Sequence, residues 1–331
     1  MTSKVCIVGA GAVGGLIGAR FAHAGVDVSA IARGDTAVAL REHGWRLQIG
    51  GKTITAPVRV ARDASELPPQ DYVVVAVKAP AMIRVAPTVG ALAHSETTIV
   101  TAMNGVPWWF FHGLAGEYDG LPLKTIDPDG VVASAIPVER VVGTVVHLTC
   151  SLAEPGFVRH GVGNRMIVGE PKGGSSARLL AFAELMREAA FEVDVSPRIQ
   201  SDIWYKLWGN MTMNPISAFT GATADRILDD PLVNQFCLEV MAEAAAIGAA
   251  IGCPIAQSGA DRMAVTRKLG AFRTSMLQDA ESGKAVEIDA LLSAPREIGA
   301  RVGVPTPRLD TLLGLTRLHA RVHKLYPDTI R

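Results

Sequence analysis

A glycine-rich segment near the start of the chain constrains the fold more than any other feature. A run of β-forming residues at positions 5–8 leads directly into Gly9, Gly11 and Gly14, spaced as GxGxxG. Apolar residues then recur at helical spacing, and a second β-type run occupies positions 26–31. This spacing between a strand and a helix is the fingerprint of a dinucleotide-binding βαβ unit. We therefore predict an α/β, Rossmann-type domain at the beginning of the chain.

Each glycine of this fingerprint has a physical reason. Gly9 permits a tight turn, Gly11 leaves room for a pyrophosphate, and Gly14 lets the helix approach the strand. Free N–H groups and the helix dipole then attract the anion. A secretory signal peptide is the alternative interpretation, but the glycines interrupt the apolar run and a strand follows it. The predicted cofactor-binding residues of the turn are Gly9, Ala10, Gly11, Ala12, Val13 and Gly14.

The residue after the second β-type run indicates which dinucleotide is bound. Units that bind NAD usually place Asp or Glu there, to bond the ribose 2′-hydroxyl. This chain has Arg33 instead, with Asp35 just beyond it. Because a guanidinium can bind a 2′-phosphate with two hydrogen bonds, the expected cofactor is NADPH. A solvated surface arginine is the alternative.

Composition excludes several classes of protein. The chain has 331 residues, 49% of them hydrophobic, which predicts two domains and a large core. Lys plus Arg and Asp plus Glu each number 32, which gives no indication of a nucleic-acid or membrane partner. The four cysteines lack metal-type spacing and suit a reducing cytoplasm. We expect no membrane span, because Glu239 and Glu243 precede the Ala-rich segment near Ile247.

The first domain is predicted to continue with further strands, and Lys78 and Asn104 end two of them. In open α/β sheets ligands lie beyond the carboxyl ends of the strands, so both residues are expected at the nicotinamide and substrate edge of a cleft. A solvated lysine and an Asn-Gly turn residue are the alternatives. Residues 129–170 are expected to complete the sheet with antiparallel strands. The predicted elements are a helix to about residue 43, a hairpin of strands 45–49 and 53–60, strands at 71–78, 98–101, 131–132, 140–149, 156–159 and 165–168, a helix at 176–190 and a strand at 192–195.

The hydrophobic period changes after Pro197, and the remainder of the chain is predicted to be helical. We therefore expect an NADP-binding, Rossmann-like domain over residues 1–197 and an all-helical substrate domain over residues 198–331. The predicted helix breaks lie at Asn214-Pro215, Asp230-Pro231, Cys253-Pro254, Ser282-Gly283 and Gly303-Val304-Pro305.

One helix face in the second domain carries unusual polar residues. Lys206, Asn210 and Asn214 are spaced i, i+4 and i+8 and therefore share a face. If that face lines a cleft, it suits a substrate with a carbonyl and a carboxylate. An exposed polar stripe is the alternative. Trp204 and Trp208 on the same helix are predicted to pack in the core.

Together these motifs resemble the ketopantoate reductase (2-dehydropantoate 2-reductase) family. Its pattern is a GxGxxG turn, an Asn-Gly after a strand, a K-L-x-x-N-x-x-x-N-P helix, S-M-L-Q-D and E-I-D. The motifs occur here in the same order over nearly the whole chain, and jointly they are more specific to the superfamily than to the substrate. They are Gly9, Gly11 and Gly14, Asn104-Gly105, Lys206-Leu207 with Asn210 and Asn214-Pro215, Ser275-Met276-Leu277-Gln278-Asp279, and Glu287-Ile288-Asp289.

The resemblance implies a reaction and roles for named residues. It implies NADPH-dependent reduction of ketopantoate, in which hydride adds to the keto carbon and a nearby ammonium protonates the oxygen. Lys206 resembles the general acid, and Glu287 the carboxylate that orients it and binds the substrate hydroxyl. Ser275 resembles the residue that binds the substrate carboxylate. The remaining implied contacts are Asn210 and Asn214 to substrate, Asn104 to substrate and cofactor, and Arg33 and Lys78 to NADPH.

Two segments depart from the family pattern, and their role is left open. Trp108 to His112 form a bulky aromatic run after the Asn-Gly motif, and residues 120–130 have little counterpart in shorter family members. Either segment can reshape the substrate pocket. No metal site is predicted, because His319 and His323 at i, i+4 have no further ligands nearby.

Two other functions stay open. One is reduction of a different small 2-oxo acid or an opine-like substrate. The other is an NADPH-binding regulator without catalysis, although such a protein needs neither Lys206 nor Glu287. The expected partner is a small 2-keto acid substrate. The oligomeric state is undecided, with a homodimer as one alternative.

Overall fold

The computed structural model describes residues 3–114 and 116–328. The chain forms two compact units, Met1–Met103 with Asp129–Asp202 and Asn104–Pro128 with Ile203–Arg331. The sequence-based division at residue 197 places Asn104–Pro128 in the first domain, whereas the contacts of this segment lie with the helical unit.

The first unit alternates strands and helices, as the βαβ pattern predicts. Its helices are α1 (Ala12–His23), α2 (Gly34–His43), α3 (Met82–Leu92), α4 (Val131–Ala135) and α5 (Ala177–Glu188). Its strands are β1 (Lys4–Val8), β2 (Asp27–Ile31), β3 (Trp45–Ile49), β4 (Lys52–Ala56), β5 (Arg59–Ala61), β6 (Tyr72–Val75), β7 (Thr98–Thr101), β8 (Val141–His147), β9 (Cys150–Glu154), β10 (Phe157–His160), β11 (Arg165–Gly169) and β12 (Glu192–Val195).

An eight-stranded sheet forms the centre of this unit, in the order β12-β11-β8-β7-β6-β1-β2-β5. Its neighbouring strands are parallel except β8 and β11, which are antiparallel. After their first residues the central strands β1 and β6 are apolar and buried, as expected for a parallel sheet covered on both faces. The α/β, Rossmann-type prediction for the beginning of the chain is confirmed.

A second, four-stranded sheet in the order β4-β3-β10-β9 packs on helix α1. Helix and sheet approach so closely that a Cβ on Gly18 would lie 2.6 Å from the Trp45 indole. The prediction that residues 129–170 complete the main sheet is therefore wrong for β9 and β10. A single strand over 53–60 is also wrong, because Pro57 has no N–H to donate and separates β4 from β5, which lie in different sheets.

The strand predicted at residues 131–132 is wrong as well, because these valines begin the short helix α4. Gly130 precedes the helix in the left-handed conformation, with φ of 67°. The helix packs against α3, where a Cβ on Gly90 would meet the carbonyl oxygen of Ala135 at 2.7 Å. The packing of α4 against α3 favours a helix over a strand at residues 131–135, and the local sequence pattern does not show this contact.

The second unit is mainly helical, as predicted for this part of the chain. A π-helical turn, Asp289–Ser293, precedes α11. Helix α6 begins at the end of the first unit and continues into the second. The helices are α6 (Ile199–Thr220), α7 (Ala224–Asp229), α8 (Pro231–Ala250), α9 (Gly259–Arg267), α10 (Ser275–Glu281), α11 (Ala294–Arg301) and α12 (Pro307–Val322).

Helix α6 continues through Pro215, so the break predicted at Asn214-Pro215 is wrong. Proline removes one helical hydrogen bond and usually kinks or ends a helix. Here residues 211–218 are all buried, and their packing outweighs that loss. The breaks predicted at the other four positions coincide with the ends of α7, α8, α10 and α11.

The aromatic run after Asn104 belongs to the core of the second unit. Trp109, Phe110 and Phe111 are completely buried, and the Phe110 and Trp204 rings lie 5.8 Å apart. Trp204 and Trp208 are buried and donate their indole N–H groups to carbonyl oxygens of helix α8, which confirms the predicted core packing. The run therefore joins its segment to the helices.

The segment over residues 120–130 is attached to helix α11. The Glu297 carboxylate accepts hydrogen bonds from the backbone N–H groups of Lys124 and Thr125, at 3.0 and 2.8 Å. Arg301 donates to the carbonyl oxygen of Pro122 at 2.6 Å. These bonds give the segment a fixed path over the helical unit.

Helix α8 is an exception to the expectation that no apolar run qualifies as a membrane span. Among the described residues it is long and apolar enough for a span by length and composition. Its residues Cys237, Met241 and Ile247 are buried in the second unit, and its Glu243 accepts N–H groups at the start of α12. A core helix of a soluble protein passes the same test, so this one helix is weak evidence for a membrane protein.

Candidate active site

The glycine turn between β1 and α1 is tightly packed at two positions and open at a third. Gly9 has φ of +100°, and a Cβ there would lie 2.8 Å from the carbonyl oxygen of Ala76. A Cβ on Gly14 would lie 2.1 Å from the carbonyl oxygen of Gly9. At Gly11 an added Cβ would meet no atom within 4 Å. The turn therefore needs Gly9 and Gly14 for its own geometry and leaves open space beside Gly11.

The start of helix α1 fits an anionic ligand. Gly11 is its N-cap residue and provides no side-chain cap, and the first turn contains no acidic residue. Unsatisfied N–H groups and the positive end of the helix dipole favour a phosphate at such a position. The residues of the turn thus fit the pyrophosphate of a dinucleotide. Ala10, Ala12 and Val13 are half-buried.

Arg33 and Lys78 each lie just beyond the carboxyl end of a strand of the main sheet. Arg33 comes two residues after the end of β2, is exposed, and is the N-cap residue of α2. Two hydrogen bonds from Ser65 lower the pKa of Asp63, and the charge of Arg33 adds a smaller effect in the same direction. Lys78 follows β6 and is half-buried. Because β2, β1 and β6 are parallel neighbours, both cations and the glycine turn lie at their carboxyl ends.

In the second unit the structure brings together Lys206, Asn104 and Glu287. The ammonium of Lys206 donates a 2.8 Å hydrogen bond to Oδ1 of Asn104, which is 102 residues away in the chain. The Glu287 carboxylate acts on the ammonium electrostatically. All three side chains are half-buried. The Lys206 ammonium thus bonds an amide oxygen and is stabilised by the charge of a carboxylate.

Two opposing effects set the acidity of Lys206. Burial lowers its pKa to about 8, because desolvation disfavours the charged form, and the negative charge of Glu287 opposes this in part. Such a lysine is protonated at neutral pH and also releases its proton readily. A general acid requires that combination.

The other predicted substrate residues lie in the same unit, and their functional assignments stay predictions. Asn210 and Asn214 follow Lys206 by one and two turns of α6, with Asn210 half-buried and Asn214 7% exposed. Ser275 is the first residue of α10 and is exposed, next to the N-cap Thr274.

Sequence reasoning missed the backbone connections of this cluster. Gly105 has φ of +78° and lies against Ala290, where a Cβ would come within 2.6 Å of the alanine side chain. The N–H of Val106 donates to the carbonyl oxygen of Ala290 at 2.9 Å. Asp289 accepts a hydrogen bond from Tyr326. The Asn-Gly and Glu-Ile-Asp motifs mark both regions, but neither shows that they touch.

The described part of the chain contains no group of three or more His, Cys, Asp or Glu that could hold a metal ion. His319 and His323 stack on each other with their ring centroids 4.1 Å apart.

A Rossmann-type sheet with an open glycine turn and a helical unit with a half-buried lysine of lowered pKa define a nicotinamide-dependent oxidoreductase. Two family models match the chain: Ketopantoate reductase PanE/ApbA over residues 5–173, and Ketopantoate reductase PanE/ApbA C terminal over residues 198–320. The chain belongs to the ketopantoate reductase family.

Individual relatives agree with the family match. A 2-dehydropantoate 2-reductase from Mesorhizobium japonicum is 43% identical over 319 residues, covering 95% of this chain and 97% of the relative. The crystal structure of a proposed ketopantoate reductase from Ralstonia solanacearum MolK2 is 57% identical, with a TM-score of 0.95 and coverage of 98% and 100%. D-mandelate dehydrogenase, solved with NADH and anilino(oxo)acetate, has a TM-score of 0.79 at 20% identity over 98% and 100% of the chains, which shows a common fold alone.

Proposed function

We propose that this protein reduces 2-dehydropantoate to pantoate with NADPH, a step toward pantothenate and coenzyme A. The observation that carries the proposal is the Lys206 ammonium, bonded to Asn104 at 2.8 Å and stabilised by the charge of Glu287. Family membership supports the choice of substrate. A non-catalytic NADPH sensor would need neither the lysine nor its carboxylate.

The proposed chemistry assigns a separate task to each polar side chain. Lys206 hydrogen-bonds the keto oxygen and gives it a proton as negative charge develops there. Asn104 orients the ammonium through the bond it already makes. Glu287 keeps Lys206 charged and accepts a hydrogen bond from the substrate hydroxyl. Ser275 binds the substrate carboxylate, and the amides of Asn210 and Asn214 position the substrate.

The first unit supplies the residues that would hold the dinucleotide. Residues 9–14 fit the pyrophosphate, Arg33 the 2′-phosphate, and Lys78 a further part of the cofactor. The proposed contact from the second unit is Asn104. The bound dinucleotide supplies the hydride.

Four free cysteines, two of them with pKa values raised by burial to about 12, suit a reducing cytoplasm. A homodimer stays a prediction.

A matched pair of substrates tests the function. We expect the protein to oxidise NADPH with 2-dehydropantoate far faster than with pyruvate or benzoylformate. Trimethylpyruvate differs from 2-dehydropantoate only by lacking its hydroxyl. Its kcat/KM should be about 10- to 100-fold lower than that of 2-dehydropantoate, because one charge-assisted hydrogen bond to Glu287 is lost. In Glu287→Ala that difference should disappear. Equal rates for both substrates in the wild type would favour the alternative, reduction of another 2-oxo acid.

Replacing Arg33 with alanine tests the cofactor assignment. The Kd of NADPH is expected to rise about 10- to 100-fold, because a charge-assisted bond to the 2′-phosphate is lost, while the Kd of NADH stays nearly unchanged. Fluorescence titration of both nucleotides measures the two constants.

Arg59→Ala provides the matched control for this variant. Arg59 is also exposed and begins β5, at the amino end of the strand that pairs with β2. It should leave both Kd values unchanged. Equal weakening of NADPH and NADH by Arg33→Ala would show that Arg33 does not bind the 2′-phosphate.

A further inference from the structure

The π-helical turn Asp289–Ser293 begins two residues after Glu287 and ends where α11 starts. Single π-turns are rare in helices and often occur at functional sites, because the extra residue per turn redirects neighbouring side chains. Here the turn lies directly beside one partner of Lys206.

The same turn is bonded to the loop that carries the other partner. The carbonyl oxygen of Ala290 accepts the N–H of Val106 at 2.9 Å, two residues after Asn104. Gly105 packs against Ala290 so tightly that a Cβ would lie 2.5 Å from its carbonyl oxygen. A displacement of Ala290 therefore moves Asn104 and Glu287 together.

The C-terminal segment Leu325-Tyr326 holds the chain on both sides of Glu287. Before it, the N–H of Val286 donates to the carbonyl oxygen of Leu325 at 3.1 Å. After it, the hydroxyl of Tyr326 donates to Oδ1 of Asp289 at 2.8 Å. The hydroxyl of Ser293 donates to the same oxygen at 3.0 Å, which closes the π-turn on itself.

Charged groups around Tyr326 keep its hydroxyl a donor. Burial and the carboxylate of Asp289 raise the pKa of Tyr326 well above its usual value, and Arg317 and Arg321 oppose this only in part. The guanidinium of Arg321 lies 5.7 Å from the Tyr326 ring centroid and donates to the carbonyl oxygen of Pro327. The hydroxyl of Tyr326 thus stays protonated, and able to donate, at neutral pH.

From these contacts we propose that Tyr326, acting through Asp289, is a positioning residue that fixes Glu287 and Asn104 around Lys206. The inference rests on the proposed role of Lys206 as the general acid. Tyr326 is assigned no contact with the substrate. Its loss is expected to change the acidity of Lys206 and to leave cofactor binding unchanged.

Tyr326→Phe removes one hydroxyl and keeps the ring, so it tests the proposal directly. Among the described residues Glu287 is the titratable group whose charge acts on Lys206 and raises its pKa. If Glu287 moves away, the pKa of Lys206 falls below its value of about 8. We expect a fall of about half a unit or more. We also expect kcat to fall on the order of tenfold, below the 10²-fold that a 1 Å misplacement can cost.

Two readouts separate positioning from general stability. The alkaline limb of the kcat profile should move to lower pH, and the ¹³Cε signal of Lys206, assigned with Lys206→Arg, should titrate at the same lower pH. Ser293→Ala, which removes the other bond to Asp289, should shift both in the same direction by a smaller amount. The Kd of NADPH should not change.

The matched control is Tyr205→Phe, which removes a tyrosine hydroxyl bonded to Gln257 at 2.6 Å in the same unit. It should lower the melting temperature to a similar extent and leave the pKa of Lys206 in place. A lowered melting temperature in Tyr326→Phe without a change in that pKa would overturn the proposal, and so would equal shifts in both tyrosine variants. If the wild type reduces no 2-oxo acid, the proposed function fails, while the titration of Lys206 still decides the positioning role.

Discussion

Replacing Lys206 with alanine is expected to lower kcat for 2-dehydropantoate reduction by about 10²–10⁴-fold, the usual contribution of general acid catalysis. Hydride addition leaves negative charge on the former carbonyl oxygen, and no other ammonium is assigned to neutralise it. The Kd of NADPH should stay close to the wild-type value, because the glycine turn belongs to the other unit. Steady-state kinetics and fluorescence titration of NADPH measure both quantities.

The pH profile provides an independent check on the same residue. The acid must carry its proton, so the rate of reduction is maintained below the pKa of Lys206 and falls as pH rises through it, at about 8. Lys206→Ala should remove this limb. Glu287→Ala should move it to lower pH, because the charge that raises the pKa is gone, and should also raise KM. A variant without Lys206 that keeps wild-type kcat, under conditions where chemistry limits the rate, would eliminate the lysine as the acid.

The second large effect is expected at Gly14. A methyl group there would lie 2.1 Å from the carbonyl oxygen of Gly9 and 3.0 Å from the Ile7 side chain. Because the nearest atom is backbone, relief requires the turn itself to move. We expect Gly14→Ala to lower the free energy of unfolding by about 3 kcal/mol, the upper part of the range for overpacked sites, and to weaken dinucleotide binding severely. Urea unfolding and NADPH titration measure these effects.

Gly11→Ala is the matched control for that variant. The added methyl meets no protein atom within 4 Å, so stability should stay near that of the wild type. Dinucleotide affinity should still fall, because the methyl occupies the space assigned to the pyrophosphate. Unchanged NADPH affinity in Gly11→Ala would show that the pyrophosphate does not lie against this turn.

Features of the fold that depend on short stretches of chain were predictable. The strand-glycine-helix spacing of residues 4–23 contains its own steric reasons, and the structure shows them in the positive φ of Gly9 and in the approach of Gly14 to the Gly9 carbonyl. The helical face with Lys206, Asn210 and Asn214 follows from periodicity alone, as does the change from strands to helices near residue 199. The linear order of the motifs was also sufficient to indicate the family.

Features that depend on distant partners were not predictable from those patterns. β9 and β10 have the same kind of local sequence as the strands of the main sheet, yet they form a hairpin in which β10 pairs with β3, which lies more than a hundred residues earlier. The local rule that proline ends a helix fails at Pro215, because buried neighbours on all sides stabilise the continued helix.

The candidate site shows the same division. The sequence by itself determined which functional groups the chain carries and how they are spaced. These are a glycine turn, a cation after β2, a lysine with two amides on one helix face, and a glutamate two residues before an aspartate. The family resemblance implied that Glu287 orients Lys206. Only the tertiary structure showed that Lys206 bonds Asn104, and that a π-turn bonded to Tyr326 joins the segments of Asn104 and Glu287. The reason is physical: hydrogen bonds and burial act between atoms that are close in space, and no local period records a contact across 102 residues of chain.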